Sequence, residues 1–192
     1  MNKKLFCIIG RTSSGKTSLT KAVAKRLNLK VVKSYTTRPL RPGEIEKESD
    51  HYFISEEEYP NYKNDIVAYT EINGYRYFTT SKELEECDMY VIDPEGYYML
   101  SNKIYSGEYL KGIKTIPIYI STPYDIAKER AAERGDDLKA WDERYDSENA
   151  QFSEFEDYLV DGPLEAYVIH NVGYFGDIVG IMKNIILKEQ GS

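Results

Sequence analysis

Short apolar runs alternate with amphipathic segments along most of this chain. Residues 5–9 (Leu-Phe-Cys-Ile-Ile) form an uninterrupted apolar run, which is typical of a strand buried on both faces of a parallel sheet. Comparable runs predict strands at 29–32, 52–54, 89–93, 116–120 and 167–169. Apolar residues at helical spacing predict helices at 18–27, 123–132 (opened by Thr122), 138–158 and 176–188. This order of elements predicts an α/β domain with a parallel sheet flanked by helices.

The stretch from 35 to about 80 follows a different pattern. Residues 66–72 and 75–79 read as strands and flank Asn73-Gly74, a dipeptide that strongly favours a two-residue hairpin turn. Ser55 followed by Glu58 forms a capping box, which predicts a short helix starting there. We therefore expect a small, partly antiparallel lobe inserted into the parallel sheet.

Composition and charge limit the classes of partner. The chain has 192 residues and a formal charge of −7, with no long Lys/Arg block, which argues against nucleic-acid binding. Cys7 and Cys87 lack a metal-binding spacing and are interpreted as reduced thiols. The apolar start is about five residues long, too short for a signal peptide or a membrane span. We expect a cytoplasmic protein with no membrane partner, and the oligomeric state stays open.

The first predicted strand runs into a motif with clear chemistry. Residues 10–17 (Gly-Arg-Thr-Ser-Ser-Gly-Lys-Thr) match G-x-x-x-x-G-K-[ST], the phosphate-binding loop of nucleotide-binding proteins. Glycines let the backbone N–H groups converge on a phosphate, Lys16 adds a cation, and Thr17 offers a hydroxyl to Mg²⁺. A strand before the motif and a helix after it are the context that the motif requires. We expect a nucleoside triphosphate to bind here.

A second loop, residues 34–44, carries two prolines, a glycine and the arginines Arg38 and Arg41. Two guanidinium groups on a stiff loop suit a phosphate, although a polar surface loop with solvated arginines explains the same residues. Arg130, Arg134 and Arg144 are similarly ambiguous, because glutamates on the same helices offer them ion-pair partners.

These motifs together resemble the guanylate kinase family of nucleoside monophosphate kinases. The T-T-R-P-x-R-x-G-E segment at 36–44 is the most specific piece. Other pieces follow in the family's order at 10–17, 50–53, 74–79, 93–96, 130–135 and 168–171. The resemblance covers about residues 3–187.

The resemblance implies a single domain of the phosphate-loop NTPase type that transfers the γ-phosphoryl group of ATP, with Mg²⁺, to a nucleoside monophosphate. GMP or dGMP is the leading acceptor. The domain has three parts: a core (1–33, 81–133 and 151–192), an acceptor-binding lobe (34–80) and a helical lid (134–150). Phosphoryl transfer depends on alignment and on cations that stabilise the transferring group, so no dedicated general base is expected.

The resemblance also assigns residues. It implies that ATP is bound by Gly10, Arg11, Thr12, Ser13, Ser14, Gly15, Lys16, Thr17, Ser18 and Asn171. Of these, Thr17 is expected to bind Mg²⁺ and Asn171 to lie near the adenine. Acceptor binding falls to Ser34, Arg38, Arg41, Glu44, His51, Tyr52, Tyr77, Thr79 and Asp93. Catalysis falls to Lys16, Arg38, Arg130, Arg134 and Arg144, the last three reaching across the transferring phosphoryl group.

Three positions depart from the family pattern. The family's guanine-reading Glu corresponds to Ala68, and Glu71, three residues on, points to the opposite face of a regular strand. The family's phosphate-binding Tyr corresponds to His51, with Tyr52 as the alternative. Phe78 replaces a usual Gly, which we expect to reshape the acceptor pocket. The acceptor base and sugar therefore stay open.

Other readings remain. Asp93-x-x-Gly96 fits a GTPase switch, but the chain has no N-K-x-D motif. A non-catalytic guanylate-kinase-like module tends to lose the loop lysine, whereas Lys16 is present. A sugar-phosphate kinase of the same superfamily differs only in its acceptor.

Overall fold

A computed structural model describes residues 3–41, 43–107, 110–160 and 164–191. Its strands are β1 (Lys3–Ile9), β2 (Ser34–Thr36), β3 (His51–Phe53), β4 (Ile66–Ile72), β5 (Tyr75–Thr80), β6 (Met89–Val91), β7 (Ile113–Ser121) and β8 (Tyr167–His170). Its α-helices are α1 (Lys16–Leu27), α2 (Ser81–Glu86), α3 (Pro94–Tyr105), α4 (Tyr124–Glu133), α5 (Leu138–Val160) and α6 (Phe175–Gln190). Single 3-10 turns lie at Glu46–Glu48, Tyr59–Asn61 and Lys63–Asp65.

The predicted parallel sheet forms in the order β6-β1-β7-β8. Alternate residues of β1 face opposite sides because the side-chain period of a strand is two. Phe6 and Ile8 pack with α1 and α6, whereas Leu5, Cys7 and Ile9 pack with α3 and α5. These two apolar layers confirm the α/β fold class with helices on both faces, and they fix the carboxyl ends of the strands at one edge.

The second sheet, in the order β3-β2-β5-β4, is mixed. β2 pairs parallel to β3 and antiparallel to β5, and β4 pairs antiparallel to β5. The predicted hairpin turn forms at Asn73 (φ 53°) and Gly74 (φ 76°), where both residues need positive φ. This sheet brings the loop after β2 toward the phosphate loop.

Two local predictions are wrong. The stretch 29–32 is not a strand, since only Val31 forms a single bridge with Met89 before the chain leaves for β2. Ser55 and Glu58 do exchange capping hydrogen bonds (2.8 and 3.3 Å), but no α-helix follows. The chain continues instead into the 3-10 turn at Tyr59–Asn61, where Pro60 lacks the N–H that a continuing helix would use.

Two helices, α2 and α3, were not predicted from the sequence. Thr80 caps α2 in a capping box with Glu83, and Asp93 caps α3 by accepting from the Gly96 N–H at 2.8 Å. Helix α4 begins after Pro123 and not after a Thr122 cap, because the Thr122 hydroxyl donates to the phosphate loop.

The two cysteines, Cys7 and Cys87, are free thiols, and burial raises the pKa of Cys7 well above its usual range. None of the helices in the described ranges is long and apolar enough to cross a membrane.

Candidate active site

The phosphate loop joins β1 to α1 at the carboxyl edge of the parallel sheet. A Cβ on Gly10 would lie 2.8 Å from the Ile120 carbonyl oxygen, and Gly15 adopts φ 84°. Both positions therefore require glycine. Helix α1 starts at Lys16, so its unpaired N–H groups face the loop, and Thr17 and Ser18 occupy its first turn. This geometry suits an anion.

Lys16 lies at the centre of this loop. Its Nζ donates to the carbonyl oxygen of Arg11 at 3.0 Å. Burial lowers the pKa of Lys16 to about 8, and the nearby Glu148 carboxylate partly offsets that effect. The ammonium is still protonated at neutral pH and is held at the loop by one weak neutral acceptor that a phosphate oxygen can replace.

Three side chains from distant parts of the chain converge on the Ser14 carbonyl oxygen. Asn171 Nδ2 donates to it at 2.7 Å, Thr122 Oγ1 at 3.1 Å, and Arg130 Nη1 at 3.5 Å. Arg130 Nη2 also donates to the Asn171 carbonyl oxygen at 2.9 Å. Asn171 and Arg130 therefore hold the phosphate loop through the Ser14 carbonyl oxygen, and their predicted roles near the adenine and the transferring phosphoryl group stay predictions.

Helix α5 contacts the other side of the loop. Glu156 accepts from Arg11 Nε and Nη2 at 3.2 and 3.1 Å, and Asn149 Oδ1 accepts from Arg11 Nη1 at 2.7 Å. The Thr12 backbone N–H donates to Glu148 at 2.8 Å. Trp141 Nε1 donates to Ser13 Oγ at 2.8 Å. The predicted lid segment thus packs directly on the loop.

The remaining two lid arginines differ in position. Arg144 lines the cavity between the two sheets, and its Nε donates to Glu148 at 3.0 Å. Arg134 is exposed at the edge of the loop, where it donates to Ser13 Oγ at 3.0 Å and pairs with Asp136. Arg144 is therefore the lid cation that already faces the cavity.

The second loop holds Arg38 in a bidentate pair. Arg38 Nη1 and Nη2 donate to the two Glu44 oxygens at 2.6 and 2.7 Å. Glu44 also accepts from the Arg41 N–H and from Ser49 Oγ. The hydrogen bonds from Arg38 hold the pKa of Glu44 well below its usual range. Arg38 is 7% exposed and its Nε has no protein partner among the described residues, whereas Arg41 is exposed at the cavity mouth.

Ser34, His51 and Tyr77 lie beside Arg38. Ser34 Oγ and His51 Nδ1 are 2.9 Å apart, and the His51 and Tyr77 rings meet edge to face. Burial, followed by the Arg38 charge, lowers the pKa of His51 to about 4, so its imidazole is neutral at pH 7. Tyr52 lies outside the cavity lining, and its ring packs against the Tyr35 ring at a tilt of 37°. His51, rather than Tyr52, therefore faces the cavity.

Asp93 lines the cavity, and the family-variant positions Ala68 and Phe78 lie on the two strands of the neighbouring hairpin. Burial raises the pKa of the Asp93 carboxyl to about 6. Thr79 is fully buried, its hydroxyl has no protein partner in the described part of the chain, and it pairs across the hairpin with Ala68. Phe78 stacks with Tyr35 on the opposite face of β5 from Tyr77, so the expectation that it reshapes the pocket is wrong.

A single cavity of about 870 Å³ connects these groups. Lys16 and Thr17 line it from the phosphate loop, and Arg38 and Arg41 line it from the loop after β2. Arg144 lines the space as well. The cavity can therefore hold two anionic groups, one at each loop.

Sequence reasoning missed the α5 side chains that contact the loop. Trp141, Glu148, Phe152 and Glu156 recur at helical spacing, so the helix period places them on one face. That spacing was available in the sequence. The sequence does not show which segment this helix face contacts, because that contact depends on how the helix packs against the rest of the chain.

Comparisons with known proteins agree with this geometry. The family described as "Guanylate kinase" matches residues 2–168. A curated guanylate kinase of Thermotoga maritima is 34% identical over 148 residues, covering 73% of this chain and 68% of that protein. One from Geobacter metallireducens is 36% identical over 92 residues, covering 46% of this chain and 45% of that protein.

A solved structure, the guanylate kinase from Anaplasma phagocytophilum, aligns with a TM-score of 0.67 at 23% identity, over 100% of this chain and 88% of that one. That likeness supports the fold. The family match spans most of the chain and includes both the phosphate loop and the Arg38 loop. The chain therefore belongs to the guanylate kinase family, a family of kinases that transfer phosphoryl groups.

Proposed function

We propose that this chain transfers the γ-phosphoryl group of ATP to a nucleoside monophosphate, with GMP or dGMP as the leading acceptor. The observation that carries the proposal is the single cavity that both Lys16 and the Arg38–Glu44 pair line. A triphosphate cradle alone suits an ATPase. A second buried cation across the same cavity supplies the place for an acceptor phosphate.

In the proposed reaction, an acceptor phosphate oxygen forms a bond to the γ-phosphorus while the bond to the β–γ bridging oxygen breaks, and ADP leaves. Arg38, Arg41, His51 and Tyr77 hold the acceptor phosphate. Lys16 and Arg144 stabilise the charge on the transferring group. No general base is needed because the acceptor oxygen is already anionic.

The residues at the loop fit Mg²⁺. Thr17 offers a hydroxyl oxygen at the cavity, and the described residues contain no cluster of three or more His, Cys, Asp or Glu that would hold a metal by itself. A hard cation with few protein ligands, held also by substrate phosphates, is the usual arrangement for Mg²⁺. When bound, it supplies positive charge to the β- and γ-phosphate oxygens.

We further propose that residues 34–80 form the acceptor-binding lobe and 134–150 the lid, on a core made of the rest. The basis is that β2 to β5 carry the Arg38 end of the cavity, while α4 ends just before Arg134. Since α5 continues without a break to Val160, the lid and the last part of the core share one helix.

The test is ADP formation from Mg-ATP with a panel of nucleoside monophosphates, deoxynucleoside monophosphates and ribose phosphates. GMP and dGMP should give the highest rates. Lys16→Ala and Arg38→Ala should each lower kcat/KM by about 100-fold or more, the size expected for losing one charged contact to the transition state. Lys25→Ala, on the exposed side of α1, is the matched control.

Each alternative has its own outcome in this assay. A different preferred monophosphate would identify a kinase for another base, which the alanine at position 68 makes a real candidate. No ADP formation above background with any acceptor, from folded protein that still binds ATP, would indicate a non-catalytic nucleotide-binding module.

A further inference from the structure

Residue 68, where the family resemblance places a base-reading carboxylate, is an alanine in this chain. Ala68 is 1% exposed and cannot hydrogen-bond a base through its side chain. Two residues further along the same strand, Thr70 lies on the same face and is also buried. The strand therefore presents a methyl group and a hydroxyl where a carboxylate is expected.

A different element supplies a carboxylate at this place. Thr70 Oγ1 donates to Glu95 Oε2 at 3.0 Å. Glu95 is the second residue of α3 and lines the same cavity as Arg38, Tyr77 and Asp93. The other oxygen of Glu95 has no protein partner within the described ranges, so it can accept from a ligand.

Glu71 is the competing carboxylate, because it also borders the cavity. It is exposed and accepts from the Tyr69 hydroxyl at 3.2 Å. The bulge in β4 lies between Ile66 and Ala68, before the segment in question. The strand alternates regularly from Ala68 onward, so Glu71 keeps the face opposite to Ala68 and Thr70.

We propose that Glu95, held by Thr70, reads the base of the acceptor nucleotide in place of the missing strand carboxylate. This inference rests on the proposed kinase function. A carboxylate accepts well from two adjacent donors, and guanine presents N1–H and the 2-amino group side by side. The cavity lining offers both kinds of group that a guanine nucleotide needs: Lys16, Arg38 and Arg41 for phosphates, and the carboxylates of Glu95 and Asp93 for a base.

The experiment compares Glu95→Gln with the unmodified chain, using GMP and inosine monophosphate, which lacks the 2-amino group, as acceptors. Glu95→Gln should raise the KM for GMP by about tenfold or more, as for the loss of a hydrogen bond to a charged group. It should leave kcat and the KM for ATP within about twofold, and it should reduce the preference for GMP over inosine monophosphate. Glu129→Gln, on an exposed position of α4, is the matched control.

Thr70→Val provides a second, nearly isosteric variant that removes only the anchor of Glu95. It should raise the KM for GMP by a smaller factor, about threefold. Circular dichroism of each variant keeps a folding defect separate from a loss of base reading.

The inference is overturned if Glu95→Gln leaves the KM for GMP unchanged, or weakens both acceptors equally, or if Glu71→Gln gives the loss instead. If the unmodified chain accelerates ADP formation with no monophosphate at all, the proposed kinase function itself fails. The two failures are therefore distinguishable.

Discussion

Glu44 is the residue that orients the buried cation of the acceptor loop. Its carboxylate accepts from both Nη atoms of Arg38, from the Arg41 N–H and from Ser49. Arg38 also lies over the Phe53 ring at 4.9 Å. A guanidinium in this position has few ways to turn, so its remaining N–H donors, including Nε, are oriented for an anion without further ordering.

Glu44→Gln should therefore destabilise the chain and weaken acceptor binding. We expect a loss of about 1–3 kcal/mol in the free energy of unfolding at pH 7, since Arg38 keeps a neutral partner but loses the charged one. The folded-state pKa of Glu44 is depressed, so its contribution is present above about pH 4.5 and is lost as pH falls toward the folded pKa.

Urea unfolding at pH 7, 5 and 4 measures this effect. The difference between the two proteins should be largest at pH 7 and smallest at pH 4. Glu46→Gln, an exposed neighbour, should change stability by less than about 0.5 kcal/mol at every pH. A difference that grows on acidification would contradict the assignment.

Helix α5 contacts the phosphate loop through several side chains. Its Glu148 carboxylate accepts from the Thr12 N–H, a loop donor that a triphosphate also needs. Arg11 anchors the helix through Glu156 and lies over the Tyr145 and Phe152 rings at 5.3 and 5.2 Å. A phosphate that accepts from the Thr12 N–H would replace Glu148 there, whereas the ion pair between Arg11 and Glu156 could remain.

Glu148→Gln should tighten ATP binding by about fivefold, because it removes a negative charge from beside the phosphates. Trp141 is the single tryptophan of the chain, it is 4% exposed, and it donates to Ser13 in the loop. Its emission should change as ATP binds, which makes a fluorescence titration the measurement. Glu154→Gln, on the exposed side of α5, is the control, and weaker binding by Glu148→Gln would contradict this reading.

At the scale of the whole molecule, the ligand cavity depends on contacts between distant segments. The Ser14 carbonyl oxygen is held by residues 122, 130 and 171, which follow β7, lie on α4 and follow β8. The parallel sheet brings these three places together because the strands end at the same edge. Three separate segments of the chain therefore hold the loop in place through one carbonyl oxygen.

Asn171→Ala should show how much the loop depends on the side chains that hold the Ser14 carbonyl oxygen. Asn171 is 3% exposed, and its loss leaves the Ser14 carbonyl with weaker donors, so we expect about 1–3 kcal/mol less stability and a higher Kd for ATP. Thermal unfolding and an ATP titration measure the two effects. Val172→Ala, at an exposed site next to Asn171, is the control and should change neither the stability nor the Kd for ATP. Unchanged stability in Asn171→Ala would show that the hydrogen bond to the Ser14 carbonyl oxygen is dispensable.

The sequence alone determined the parallel sheet, the hairpin at Asn73-Gly74 and the family, because each depends on local patterns: strand and helix periods, turn chemistry and a contiguous motif. It misplaced a strand at 29–32 because an apolar run does not show which sheet the chain joins. It did not predict α2 or α3, although their caps at Thr80 and Asp93 lie in the sequence.

Only the tertiary structure decided where the long-range partners lie. Strand alternation relative to the actual pairing turned Phe78 and Tyr52 away from the cavity and His51 toward it. Packing brought Glu148 to the loop and Glu95 to Thr70, pairs that lie 136 and 25 residues apart. Local propensity carries no information about such contacts, because they arise when separate elements bury their apolar faces against one sheet.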